Sequence, residues 1–154
     1  STVGENMKLG TDLADQMGFL KSFFGKKGND FLDEVDQYLE IADLTVNWKD
    51  DISSLSYGQL KRLEIVRSLL SHPKVLLVDE PAAGLNAKEL EKSVALMRHA
   101  AEKGGGIVLI EHKMDMIMNV CDHIVVLNFG KMIAHGTPEE VQSNEAVIEA
   151  YLGR

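Results

Sequence analysis

Four consecutive aliphatic residues, Val75-Leu76-Leu77-Val78, run directly into two carboxylates and a proline, Asp79-Glu80-Pro81. A short unbroken apolar run reads as a buried strand, and Pro81 prevents that strand from continuing inside a sheet. Both acids therefore stand at the carboxyl end of a strand, where open α/β sheets bind ligands. Upstream, Leu55-Ser56-Tyr57-Gly58-Gln59 reads as a helix start. Ser56 with Gln59 three positions on has the spacing of a capping box. Gly58 leaves room for a close approach, and the free N–H groups with the helix dipole favour an anion such as phosphate. Taken singly, S-x-x-Q is compatible with a plain helix cap, and Asp-Glu with a strand running out into a solvated turn.

Length and composition set only outer bounds. A chain of 154 residues fits one domain and can bury a real core. A formal net charge of −8 weighs against nucleic acid as a partner, because phosphate backbones call for a basic face. No apolar run approaches the roughly 20 residues needed to span a bilayer. Ser1 to Gly10 has neither the basic cluster nor the apolar stretch of a secretory signal. A lone cysteine, Cys121, excludes an internal disulfide and suits a reducing cytosol. The expectation is a soluble, acidic, cytoplasmic protein.

The chain divides by pattern into a helical part, residues 1–72, and an α/β part, residues 73–154. In the first, Asp30 to Ala42 carries Phe31, Val35, Leu39 and Ile41 at near-helical spacing, after an expected exposed loop Gly25-Lys26-Lys27-Gly28-Asn29. A helix from about Tyr57 places Leu60, Leu63, Val66 and Leu70 on one face and Lys61, Arg62 and Arg67 elsewhere. In the second part, strands are expected at Lys74–Asp79, Ile107–Glu111, His123–Asn128 and Lys131–His135. Helices are expected at Ala87–Lys103 and Met114–Val120, and a hairpin at Phe129-Gly130. Thr137-Pro138-Glu139-Glu140 is a second capping box with proline at the first helical position. Apolar strands separated by helices imply a mainly parallel sheet covered on both faces. Cys121-Asp122-His123 is a poor metal cluster, since three consecutive residues cannot all face one ion without strain. Met114, Met116 and Met118 read as core filler and helix surface.

In this order and separation, the Ser56 turn and the Asp79 strand end resemble the signature and Walker B motifs of ATP-binding cassette (ABC) ATPases. The stretch Leu60 to Arg67 is similar to the helix following that signature. Ala83-Gly84-Leu85-Asn86 resembles the D-loop, with Asn86 where the family commonly has Asp. Ile110-Glu111-His112 resembles the strand that ends in the switch histidine. Thr2-Val3-Gly4-Glu5-Asn6 looks like the opening of the helical subdomain. Together with Tyr57 and the ending Val147 to Gly153, these residues look most like the ATPase subunits of branched-chain amino-acid importers, with urea and amide importers as near relatives.

The resemblance implies the C-terminal part of a P-loop NTPase domain, with ATP and Mg²⁺ as its ligands. It assigns Glu80 to orienting or deprotonating the attacking water and Asp79 to Mg²⁺, held through water. It assigns His112 to the γ-phosphate contact. Ser56, Gly58 and Gln59 would close on the ATP of an opposing ATPase subunit, with Asn86 in the D-loop crossing that interface. Membrane permease subunits would be the other partners, holding the protein on the inner face of the cell membrane. No G-x-x-x-x-G-K-[ST] loop occurs in the chain; Gly25-Lys26 is followed by Lys27, and Gly130-Lys131 by Met132. The resemblance places that Walker A loop, the adenine-stacking aromatic and the Q-loop glutamine before Ser1. Two other readings stay open here: a non-transport ABC ATPase of translation or DNA repair, and an inactive piece serving only interaction or structure. As it stands the chain is expected not to hydrolyse ATP at a family-like rate, and to self-associate.

Overall fold

In the computed structural model, which describes residues 1–12 and 26–152, contacts divide the chain into two units, Ser1–Ile110 and Glu111–Arg154. The first holds α1 (Val3–Asp12), α2 (Lys26–Ile41), a 3₁₀ turn (Ile52–Ser54), α3 (Tyr57–Leu69), β1 (Val75–Asp79), α4 (Ala87–Glu102) and β2 (Gly106–Ile110). The second holds α5 (Met114–Val120), β3 (Ile124–Asn128), β4 (Lys131–Gly136), α6 (Pro138–Gln142) and α7 (Glu145–Leu152). The subdomain boundary proposed near His72 lies inside the first unit.

Helix α3 is the centre of the first unit, packed against α1, α2 and α4. Contact from three sides widens its buried surface beyond a single stripe: Leu63, Ile65, Val66 and Leu69 are all buried. Arg62, placed by its charge on the polar side, is only 7% exposed, and its Nε finds no acceptor among the described residues. Each fully buried side chain such as Leu63 or Val66 contributes about 1.5–3 kcal/mol. Around α3 the core gathers Val3, Met7, Val35, Tyr38, Leu39, Leu70, Leu96 and Ala100.

Helix α2 begins at Lys26, so Lys26 to Asn29 form its first turn and not an exposed loop. Once a helix is anchored by packing, each added residue gains a hydrogen bond at little further entropic cost. Gly25 lies outside the described residues, as does the Phe31 side chain.

Strands β1 and β2 pair in parallel, Val75 opposite Gly106 through Asp79 opposite Ile110, as expected of strands joined by a crossover helix. Their coverage is one-sided, as the expected self-association through exposed apolar strands near Val75–Val78 or Ile107–Ile110 requires. Leu76 and Ile107 pack on the helical core, but Val75, Leu77, Val108 and Ile110 point to an open face. Side chains alternate across a strand, so a four-residue aliphatic run necessarily sends half its members each way. No described layer of the first unit covers the outer set.

In the second unit β3 and β4 form the expected hairpin, with Asn128 opposite Lys131. Phe129 and Gly130 both have positive φ, 47° and 75°, the geometry of a two-residue type I′ turn. Ile124, Val126, Ala134, Val141 and Val147 make its core, with Met114, Ile117 and Met118 against it. Thr137 caps α6 through the capping box read in the sequence.

Candidate functional site

Ser56 is the extended N-cap of α3, with φ −64° and ψ 160°. The Gln59 N–H donates to Ser56 Oγ at 3.3 Å, and the Ser56 N–H donates to Gln59 Oε1 at 2.8 Å. This reciprocal pair leaves the N–H groups of Tyr57 and Gly58 without intrahelical acceptors at the positive end of the helix. Gly58 is buried, and a methyl group built on it would collide with the Glu89 carboxylate. Tyr57 projects outward, half exposed, with the Lys61 ammonium 5.9 Å from its ring centre.

The two carboxylates occupy the end of β1, and both residues are exposed. Asp79 sits opposite Ile110, and the Glu80 N–H donates to Ile110 O at 2.8 Å. Glu80 then turns into the left-handed region, with φ 45°. The following turn is tied by Ala83 N–H to Glu80 O at 3.1 Å, and anchored by Pro81 and Ala82, both buried. Gly84 continues it at φ 72°. Asn86 ends it by capping α4: the Glu89 N–H donates to Asn86 Oδ1 at 3.0 Å, and the Asn86 N–H to Glu89 Oε2 at 3.1 Å. This Asn-x-x-Glu box was present in the sequence and unread. Glu80 and the Ala83–Asn86 segment thus belong to one continuous turn, whose Gly84 lies against Tyr57, while Glu89 of α4 lies against Gly58.

His112 belongs to the second unit, beyond the end of β2, with its side chain mostly exposed. Its Nδ1 lies 3.2 Å from Glu111 Oε1. The Glu111 side chain is fully buried, and the same oxygen accepts the N–H of His112 at 2.8 Å and of Lys113 at 3.2 Å. Sequence reasoning passed over Glu111; the available signal was a carboxylate between a strand end and a histidine. Glu111 thus fixes the orientation of the imidazole through Nδ1.

The donor set at Asp79 and Glu80 is carboxylate oxygen, open to one side. Such a set suits Mg²⁺, which keeps several waters and is bound by one or two carboxylates together with substrate phosphates. Among the described residues no group of three or more His, Cys, Asp or Glu side chains forms a closed metal cage.

A parallel strand pair joined by a crossover helix and ended by adjacent acids is an α/β arrangement that places ligand-binding groups at its strand ends. The family model for ABC transporters matches residues 1–83, and that for the branched-chain amino acid ATP-binding cassette transporter matches residues 131–154. The chain belongs to the ABC transporter family. It is 41% identical over 131 residues to the high-affinity branched-chain amino acid transport ATP-binding protein BraF of Pseudomonas aeruginosa, covering 84% of this chain and 51% of that protein. It is 39% identical over 155 residues to LivG of Escherichia coli K12, named for the same role, covering 98% of this chain and 59% of that one. Among solved structures, it is similar to the ADP conformation of MJ1267, an ATP-binding cassette of an ABC transporter, with a TM-score of 0.73 and 31% identity over 99% of this chain and 63% of that chain. A nucleotide-free ATP-binding cassette from an ABC transporter gives a TM-score of 0.75 at 29% identity, over 100% of this chain and 64% of that one. This chain thus spans 51% of the length of BraF and 59% of that of LivG.

Proposed function

We propose that these residues form the C-terminal portion of the ATP-hydrolysing subunit of an importer for branched-chain amino acids. The observation that carries this reading is the likeness to BraF and LivG, both named as branched-chain amino acid transport ATP-binding proteins. Those names favour transport over a role in translation or repair. In the assembled protein, a second ATPase subunit and membrane permease subunits would be the partners, and the ATPase would lie at the inner face of the cell membrane. Among the described residues no helix is long and apolar enough to cross a membrane.

Each site residue then has a task set by its chemistry. Glu80, exposed just past the strand end, orients the attacking water and accepts its proton as the general base. Asp79 would hold Mg²⁺ through water. Held there, the ion would supply positive charge against the negative charge that builds up on the phosphates. His112, with Nδ1 anchored on Glu111, contacts the γ-phosphate. The Ser56–Gln59 turn receives the γ-phosphate of the opposing subunit's ATP, with N–H groups and the helix dipole supplying the attraction. Asn86 offers a neutral polar contact at the same interface.

The test uses the full-length protein. Glu80→Gln keeps shape and a hydrogen bond while removing the base, so ATP binding persists and turnover falls by about 10²–10⁴-fold. Ser56→Arg places bulk and charge at the helix N-terminus and blocks dimer closure. Parental hydrolysis in both variants overturns the assignment. The 154-residue chain alone lacks a phosphate-cradling loop and is not expected to release phosphate from ATP and Mg²⁺ at a family-like rate. Robust turnover abolished by Glu80→Gln would reveal a different phosphate grip.

A further inference from the structure

Two glycines and two side chains interlock where the Ser56 turn meets the Ala83–Asn86 turn. A methyl group on Gly84 would come within 2.8 Å of Tyr57 Cε1, so the Tyr57 ring lies flush on the Gly84 backbone. In the opposite direction, the Glu89 carboxylate lies against the Cα of Gly58. Glu89 does not float there: its Oε2 accepts the Asn86 N–H at 3.1 Å, while its own N–H donates to Asn86 Oδ1 at 3.0 Å. The contacts cross. An aromatic ring reaches from the first turn to a glycine of the second, and a carboxylate bonded to the second reaches a glycine of the first.

We propose that Glu89 and Tyr57 are positioning residues that clasp the ATP-receiving turn and the D-loop of one subunit into a single rigid piece. This rests on the functional reading above, in which both turns face the opposing subunit. A clasp makes them arrive together: the Ser56 turn meets phosphate only when Asn86 meets its own contact. Close packing has two discrete arrangements, seated or separated, and does not deform continuously. The role of Glu89 is one of shape and hydrogen bonding, because its oxygen is already committed to Asn86.

The experiment uses the full-length protein in a Glu80→Gln background, where ATP drives a stable dimer without turnover. Dimer mass is followed by light scattering against ATP concentration, and ATP binding to the monomer by calorimetry. Glu89→Ala should raise the ATP concentration for half-dimerisation about tenfold, an ordinary coupling between sites, with monomer binding unchanged. Glu89→Gln keeps an oxygen acceptor for the Asn86 N–H and the same volume over Gly58, so it should restore the parental midpoint. Leu96→Val, chosen within the fully buried core of α4, controls for lost stability and should lower the melting temperature without moving the midpoint. Tyr57→Ala combined with Glu89→Ala should lose less than the product of the single effects, since both open one clasp. A parental midpoint in Glu89→Ala, a Gln variant as poor as Ala, or multiplicative losses each overturn the clasp. A Glu80→Gln parent that neither binds ATP nor dimerises overturns the functional reading itself, and so separates the two failures.

Discussion

Glu80 holds a φ of 45° that a side-chain-bearing residue rarely adopts, immediately after a regular strand and at the position proposed for the catalytic base. Such strain persists only where its surroundings enforce it, here the Glu80 N–H bond to Ile110 O and the turn closed by Ala83. Glu80→Gly should therefore stabilise the chain. Relief of about 1–2 kcal/mol, less about 0.5–1 kcal/mol for glycine's extra unfolded entropy, leaves a net gain of about 0–1.5 kcal/mol. Thermal melting of the chain reads this directly, and a lower melting temperature than the parent would show that the strain is absent. Cys121 makes a second residue-scale case. Burial, with the Asp122 charge added, pushes its thiol above the ordinary range. A group whose folded pKa is raised contributes stability below its unfolded value, about 8.5 for a thiol, and loses it as pH climbs through the folded value. Alkylation near pH 8 should accordingly be slow in the folded chain and fast in denaturant. Equal rates in both states contradict the shift.

Among the elements, α4 shows what a short segment does locally and what it does at a distance. Asn86 stands where the family commonly has Asp, and the structure gives it a job either residue can perform, accepting the Glu89 N–H. Asn and Asp rank together as N-caps, so Asn86→Asp should leave the melting temperature near the parent, while Asn86→Ala should cost about 1 kcal/mol. Urea melts of the three proteins decide it; a large loss in Asn86→Asp would mean that a second negative charge beside Glu89 is not tolerated. Local chemistry of this kind was legible. The boxes at Ser56 and Thr137, the turn at Phe129-Gly130 and the strand ended by Asp79 all follow from residues within a few positions of one another. Arg62 was not legible, because its burial depends on α1, α2 and α4 closing around α3 from distant parts of the chain. The start of α2 at Lys26 was missed for a related reason, since Gly28 and two lysines signal a loop until the anchored helix behind them is known. In the first unit, the placing of the acids at a strand end and of Ser56 at a helix start could be read, whereas the Tyr57–Gly84 and Gly58–Glu89 contacts are tertiary and leave no spacing to find.

For the molecule as a whole, the sheet surfaces dominate its behaviour. On the outer face of β1 and β2, Leu77 is 72% and Ile110 58% exposed, with Val75 and Val108 beside them. In the second unit Val125, Leu127, Met132 and the fully exposed Phe129 make another apolar surface on the hairpin. Contiguous exposed apolar patches are rare on soluble monomers and mark surfaces that pack on something. The β1–β2 pair also carries strand edges with no partner among the described residues, and unpaired edges template pairing with another chain. Each of these features favours the 154-residue chain associating with itself in water, where one copy's face can cover another's. Light scattering over a range of concentrations should show mass rising above that of the monomer. Leu77→Lys with Val108→Lys puts two charges on the open face, away from the Leu76 and Ile107 side that packs on the core, and should return the mass toward the monomer without unfolding the helices. A chain that stays strictly monomeric at every concentration would mean that these faces are shielded by its own residues, and the open side of the sheet would have to be redrawn.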